Sequence, residues 1–354
     1  MLQTNFKRIV IKIGSSLLYS AENKPDIDFV GNLTNQISHL VKNKTEITLV
    51  SSGAIALGMS LLELESRPKE LCFLQACAAI GQNELMDIYR KSFRSKDLFC
   101  GQILLTWEDF DERRRYLNAR NTLLALLKLG VIPVINENDS VSTEEIKFGD
   151  NDRLSALVSS LISADLLIIL SDVDGLYDRN KKTLVRLIDE ITPQIKALAC
   201  PTDKKTCVGG MITKIKAAEI AVDSGIPCVI ANGRQTDILL SVIKQPEGYG
   251  SLFIPKKHYL AAKKRWIAFG TRPKGRIVVD DGAKKALINK KSLLSVGIVG
   301  CAGNFDHGDV VRIVDQQDCE FARGKAGLSS KQLEKVKGSH FDKEIIHCDN
   351  IVVL

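Results

Sequence analysis

No apolar run in the sequence approaches the ~20 residues that a membrane-spanning helix needs. The opening residues, Met1 to Lys7, are polar and lead straight into a strand pattern, with nothing that reads as a signal peptide. A cytoplasmic location without membrane contact is therefore the expectation. Histidine is scarce. The five copies, from His39 to His347, have no paired spacing, which argues against a zinc site and assigns no metal ligand. The nine cysteines are odd in number and lack C-x-x-C spacing. They read as reduced, mostly buried thiols rather than a disulfide framework. Neither G-x-x-x-x-G-K-[ST] nor a strand-linked G-x-G-x-x-G occurs, so a bound nucleotide would use neither common phosphate cradle. The H-R-D and D-F-G segments of protein kinases are missing as well.

What remains is a chain of 354 residues, 45% hydrophobic and 26% charged, a soluble globular composition long enough for two domains. Charge separates its parts. Residues 1–255 carry 30 Lys and Arg against 31 Asp and Glu, whereas residues 256–354 carry 19 against 11. The basic tail predicts a domain boundary, with either an anionic partner or a solvated lysine-rich surface. The expected division is a first domain over 1–255, a linker over 256–272 and a second domain over 273–354.

Lys7–Ile13 reads as a strand, and apolar residues from Ile27 to Val41 recur at helical spacing, predicting a helix over 26–43. Strands are also predicted over Ile47–Val50, Ile103–Leu105, Val131–Ile135, Leu166–Leu170 and Pro227–Ile230. Helices are predicted over 69–93, Asn118–Leu129, Asp152–Ile162 and Met211–Ser224. This alternation predicts an α/β fold, a three-layer αβα sandwich around a mainly parallel sheet. Beyond Arg272, closely spaced short strands with Gly and Asp turns predict a small β-rich domain. Four predicted strands of the first domain end in polar clusters: Gly14-Ser15-Ser16, Ser51-Ser52-Gly53, Asn136–Asp139 and Ser171-Asp172. Ligands of parallel sheets bind outside the carboxyl ends of the strands, so these clusters predict the walls of one cleft.

Lys12 stands at the end of the first strand inside an apolar run, followed by the Gly14-Ser15-Ser16 cluster. An ammonium beside backbone N–H groups and hydroxyls suits a phosphate oxygen; the plainer alternative is a lysine reaching solvent. The stretch Val208, Gly209, Gly210, Met211, Ile212, Thr213, Lys214 is the second signal. Its glycines permit close backbone approach, and the helix behind them offers its positive end. Lys214 on that first turn opposes the helix dipole unless an anion lies nearby. A flexible loop before a helix is the alternative. Two lysines able to neutralise a migrating phosphoryl group are what phosphoryl transfer needs, since it depends on placement and electrostatics. Asp152 would hold the lysines. Asn136, Asp139, Asp150 and Asn151 would grip a small acceptor with an ammonium group. Helix capping would account for Asp150 or Asn151 alone.

At this point "VIKIGSS", "LVSSGAIALG", "LNARNTL", "VIPVINENDSV", "EIKFGDNDRLSAL", "LSDVDGLYD" and "VGGMITKIKAAEIA", taken in order over residues 7–255, resemble the glutamate 5-kinase family, of the amino acid kinase fold. Residues 273–354 resemble the PUA domain often attached to it. The resemblance implies transfer of the γ-phosphoryl group of ATP, with Mg²⁺, to L-glutamate. It implies glutamate contacts at Ser52, Gly53, Asp139 and Asn151, with Asn136 and Asp150 nearby. It implies ATP contacts at Lys12, Ser171, Asp172 and Val208 to Lys214, with Lys12 and Lys214 stabilising the transition state and Asp152 organising them. Proline as feedback inhibitor and a homodimer or homotetramer are further implications. Where the family often has threonine, this chain has Ser171, which keeps the hydroxyl.

Two alternatives stay open. An acetylglutamate, aspartate or UMP kinase of the same fold would differ in the acceptor site, where Asp139 and Asp150 suit a free ammonium. An RNA-binding protein acting through the basic tail would show aromatic residues for stacking, yet Phe305, Phe321 and Phe341 are far apart.

Overall fold

Apolar strands alternate with helices through most of a computed structural model that describes residues 6–19, 24–141, 151–180, 183–199, 210–255, 260 and 262–354. The chain forms two units: Met1–Asp109 with Arg114–Tyr259, and Phe110–Arg113 with Leu260–Leu354. In chain order the elements begin with β1 (Arg8–Ile13), α1 (Ile27–Lys42), β2 (Glu46–Ser51), α2 (Ala54–Leu61), α3 (Leu71–Arg94), β3 (Phe99–Leu105) and α4 (Trp107–Asp111). Next come α5 (Arg113–Lys128), β4 (Val131–Glu137), α6 (Asn151–Ile162), β5 (Leu166–Ser171), β6 (Leu187–Ile188) and α7 (Pro193–Leu198). Then follow α8 (Met211–Asp223), β7 (Cys228–Asn232), α9 (Ile238–Lys244) and β8 (Ser251–Phe253).

The eight strands form one sheet in the order β3-β4-β2-β1-β5-β7-β8-β6, parallel throughout except between β7 and β8. Side chains of a strand alternate between faces. Ile9, Ile11 and Ile13 of β1 join Ile47, Leu49, Val134 and Ile168 in a core completed by α1, α3 and α9. Lys12 belongs to the opposite face, which α6 and α8 cover. The three layers of the expected sandwich are therefore present, and the pleat alone decides that Lys12 looks toward α6.

The structure also holds elements that periodicity did not announce. β3 begins at Phe99 rather than Ile103, and α5 at Arg113 rather than Asn118. Helix α2 lies between the polar strand end at Gly53 and the helix predicted from residue 69, a stretch for which the pattern predicts no element. It exists because two glycines let it lie directly on α3. A Cβ on Gly81 would sit 1.8 Å from the Ala54 carbonyl oxygen, and one on Gly58 would sit 1.8 Å from that of Cys77. Gly81→Ala should force the helices apart and cost about 1–3 kcal/mol by overpacking. That corresponds to a melting temperature lower by about 2–4 °C for each kcal/mol in a domain of this size. Calorimetry on the full chain checks this, and an unchanged melting temperature would show that the α2–α3 contact is not tight. Among the seven described cysteines, all free, only Cys77 and Cys228 are buried, so the expectation of mostly buried thiols was too broad.

The second unit continues with α10 (Ala262–Arg265), β9 (Gly275–Val279), α11 (Asp281–Ile288), β10 (Ile298–Gly303), β11 (Val310–Val314), β12 (Glu320–Lys325), α12 (Ser330–Val336) and β13 (Ile351–Val353). Its sheet runs β10-β9-β11-β12-β13, antiparallel except for β9–β11. Ile277, Phe305, Ile313 and Leu333 lie in its core. Residues 262–270, inside the expected linker, are helical, and Trp266 and Ile267 are buried. Trp266 Nε1 donates to the Phe110 carbonyl at 2.8 Å, and the Asp111 carboxylate accepts from the Arg272 N–H at 2.9 Å. These bonds bring Phe110–Arg113 into the second unit.

Candidate active site

Four neighbouring strands, β4, β2, β1 and β5, run parallel, so their polar carboxyl ends line one edge of the sheet. Lys12 is the last residue but one of β1, flanked by Val50 of β2 and Ile169 of β5. It is only 6% exposed, so the solvent-reaching alternative does not hold. The first turn of α6 sets Asp152, also buried, against it: Lys12 Nζ lies 2.7 Å from Asp152 Oδ1. Helix α8 packs beside α6, and its first turn brings Lys214 Nζ to 3.3 Å from Asp152 Oδ2. The Thr213 hydroxyl donates to the same Oδ2 at 2.6 Å. Two ammonium groups thus converge on the two oxygens of a single carboxylate.

Burial on its own would raise the Asp152 carboxyl. The charges of Lys12 and then Lys214, with hydrogen bonds from Lys12 and Thr213, overcome that and hold it below the ordinary carboxylate range. Asp152 is therefore ionised at neutral pH. Lys214 does oppose the α8 dipole, and the anion its position requires is in the first place Asp152. The trio still carries one positive charge in excess in a buried setting, where an added anion is worth far more than in water. Beside it, Gly210 starts α8 at φ +69°, a conformation that favours glycine, and among the described residues no side chain caps the first turn. The first N–H groups of a helix have no partner within it, and they suit an anion. Met211 and Ile212 are half-buried on the same turn. Asp150, Val208 and Gly209 lie outside the described residues.

The other half of the edge is a relay of amides. Asn151, expected as a helix cap or a ligand group, reaches across to β2: its Nδ2 lies 2.9 Å from Ser52 Oγ and 3.2 Å from the Ser51 carbonyl oxygen. It also donates to Asn136 Oδ1 at 2.9 Å, and Asn136 Nδ2 donates to Gln82 Oε1 at 2.8 Å. Asn136 thus helps to fix both of its neighbours. Gly53 opens α2 at φ +103°, and its carbonyl accepts from the Tyr19 hydroxyl at 2.5 Å. Ser171 is buried at the end of β5, while Asp172 is exposed and lies 3.2 Å from the Ser171 hydroxyl, at the mouth of the edge rather than within it. Asp139 is half-buried two residues past β4. A cavity of about 670 Å³, lined among others by Ser15, Ser16, Tyr19, Met59 and Arg234, opens beside the edge.

Sequence reasoning missed Gln82 and Tyr19. Gln82 carried a usable signal, being a polar residue on the buried stripe of α3 between Ala78 and Leu85. Tyr19 carried none, because its partner is a backbone carbonyl far along the chain.

Comparison with known proteins identifies the family. The amino acid kinase family profile matches residues 7–232, and the PUA domain profile matches residues 275–348. A glutamate 5-kinase of Thermoanaerobacter sp. strain X514 is 43% identical over 365 residues, covering 98% of both chains. Those of Caldanaerobacter subterraneus subsp. tengcongensis and Syntrophotalea carbinolica are 46% and 44% identical, each over 98% or more of both chains. The chain belongs to the amino acid kinase family, as a member of its glutamate 5-kinase group with a PUA domain toward its C-terminal end.

Proposed function

We propose that this chain transfers the γ-phosphoryl group of ATP to the γ-carboxylate of L-glutamate, giving γ-glutamyl phosphate and ADP, the first step of proline biosynthesis. The observation that carries the proposal is the net-positive Lys12–Asp152–Lys214 trio at the start of α8, with Lys12 and Asp152 buried and Lys214 half-buried. Relatives of matching length named glutamate 5-kinase supply the substrate.

The residues present fit a polyphosphate. Lys12, the Ser171 hydroxyl and the N–H groups of Gly210 to Lys214 offer donors and positive charge, with Asp172 at the rim; Val208 and Gly209 belong to the same proposed contact. Asp152, occupied by two lysines, is no metal ligand, so Mg²⁺ fits as an ion carried on the phosphates. When bound, Mg-ATP supplies the phosphoryl group and neutralises part of its charge. Everything else falls to the chain. Lys12 and Lys214 stabilise charge on the transferred group, and Asp152 keeps both ammonium groups aimed. Ser52, Gly53, Asn151, Asp139 and Asp150 receive glutamate, with Asn136 holding Asn151. A γ-carboxylate is already ionised at neutral pH, so the reaction asks for no general base, and the site holds no histidine among its described residues.

The proposal extends to proline as feedback inhibitor, to a homodimer or homotetramer and to a cytoplasmic location. No helix among the described residues is long and apolar enough to cross a membrane. The boundaries 1–255 and 273–354 are part of the same reading. For an RNA contact through the second unit, Phe305, Phe321 and Phe341 are unsuited, since they pack on its core. Charge alone would have to carry such a contact.

A coupled ADP-release assay with glutamate, aspartate, N-acetylglutamate and UMP tests the substrate. Glutamate should be turned over with a kcat/KM at least about 10²-fold above the others, as expected where charged acceptor groups must be matched. Turnover of UMP alone would end the proposal.

A further inference from the structure

A backbone N–H can only donate. The Glu137 N–H donates to Asn136 Oδ1 at 2.9 Å, so that one bond settles which end of the Asn136 amide is oxygen. Asn136 Nδ2 must then be the end facing Gln82, and Gln82 must meet it with Oε1, 2.8 Å away. On the other side Asn136 Oδ1 takes Asn151 Nδ2, which also meets the Ser51 carbonyl, a pure acceptor. The orientation of three side-chain amides follows from a single main-chain hydrogen. Two atoms are left over: Gln82 Nε2, a donor, and Asn151 Oδ1, an acceptor. Both are buried without a hydrogen-bond partner among the described residues, in side chains belonging to residues that are each 8% exposed. Buried polar groups in native proteins nearly always have partners, and exceptions of this kind call for a ligand or a water.

We propose that Gln82 is a specificity-determining residue that contacts the substrate: its Nε2 donates to the α-carboxylate of the acceptor amino acid, while Asn151 Oδ1 accepts from the adjoining ammonium. The inference rests on the glutamate reading above and adds to it a residue and an orientation. A zwitterionic amino acid offers an acceptor and a donor on one carbon, which matches the two leftover atoms. Direction along the sheet assigns the carboxylate. Asn151 adjoins Asp152 and the lysines, and the relay then leads through Asn136 on β4 to Gln82 on α3. Gln82 is the end remote from the phosphoryl site, so the α-carboxylate meets it and the γ-carboxylate meets the lysines. Next to Gln82, Gly81 lies directly against α2, which follows the end of β2.

Steady-state kinetics of the full chain with Gln82→Glu and Gln82→Met test this. Glutamate at position 82 keeps an oxygen for Asn136 Nδ2 but turns the substrate-facing donor into an acceptor. The KM for glutamate should rise by about 10–100-fold, the range expected for losing a hydrogen bond to a charged group, with kcat and the KM for ATP changing far less. Methionine should raise the glutamate KM by about tenfold. The α-amide of glutamate supplies the readout that a structural role would not move. The wild type should reject it, and Gln82→Glu should narrow that preference, because its carboxylate can accept from the amide N–H groups. If both variants keep a glutamate KM within about twofold of the wild type, the leftover donor serves a water and the assignment is overturned. Equal losses for glutamate and its α-amide in Gln82→Glu would overturn it as well. Retention of the ATP-induced thermal shift shows that a variant is folded, and if the Glu variant fails to fold, the Met variant decides. A wild type without glutamate turnover would instead overturn the substrate reading, and this assignment with it.

Discussion

Lys214→Ala should lower turnover by about 10²–10³-fold while the saturation curves for ATP and glutamate move little, the signature of an interaction made only in the transition state. The expectation follows from how the site divides its charge. In the resting protein Lys12 and Lys214 share Asp152, so these three groups together carry one unit of positive charge. Negative charge spreading over the transferred phosphoryl group is what that excess can stabilise. Removing Lys214 leaves the Lys12–Asp152 pair at 2.7 Å and the Thr213 bond in place, so the fold should survive. A normal melting temperature with collapsed kcat is the expected pair of results. Unchanged turnover would remove Lys214 from the chemistry.

Asp152→Asn should act on stability and catalysis together. The substitution keeps the shape and removes the charge between the ammonium groups of buried Lys12 and half-buried Lys214. Breaking a buried ion pair from one side costs about 3–5 kcal/mol, and here the lost carboxylate served two cations. Turnover should fall by at least about 10²-fold because neither lysine is held in aim. The pH dependence separates this cause from lost packing. Folding depresses the Asp152 carboxyl, so its stabilising contribution is complete above the unfolded value of about 3.9 and is lost as pH falls through the lower folded value. The stability gap between wild type and Asp152→Asn, measured by urea unfolding, should therefore be widest at neutral pH and shrink below about pH 3.9. A gap that stays constant with pH would mean that shape rather than charge was lost.

The parts of the site that could be read from the sequence were those set by short-range pattern. Short apolar runs located β1, β2, β4 and β5, and the polar residues closing each run marked the edge where Lys12, Ser52, Asn136 and Ser171 now stand. Lys12 and Lys214 stood out because each violates a local rule, a charge in an apolar strand and a cation at a helix start. What could not be read depends on tertiary contact. Whether Asn136 serves a ligand or the fold is decided by Gln82 and Asn151, 54 and 15 positions away. Helix α2 is stabilised by backbone contact through Gly58 and Gly81, and glycines inside a helical stretch lower its local signal. Phe110–Arg113 joins the second unit through Trp266, 156 positions later, and a four-residue segment has no periodicity to betray that.

The most direct measurement is a crystal structure of the chain with glutamate and a non-hydrolysable ATP analogue bound together. Both Lys12 Nζ and Lys214 Nζ should lie within about 2.7–3.2 Å of oxygens of the terminal phosphoryl group, with Asp152 still between them and the γ-carboxylate in line. A terminal phosphoryl group seated away from either ammonium, with that lysine turned to solvent, would contradict the account.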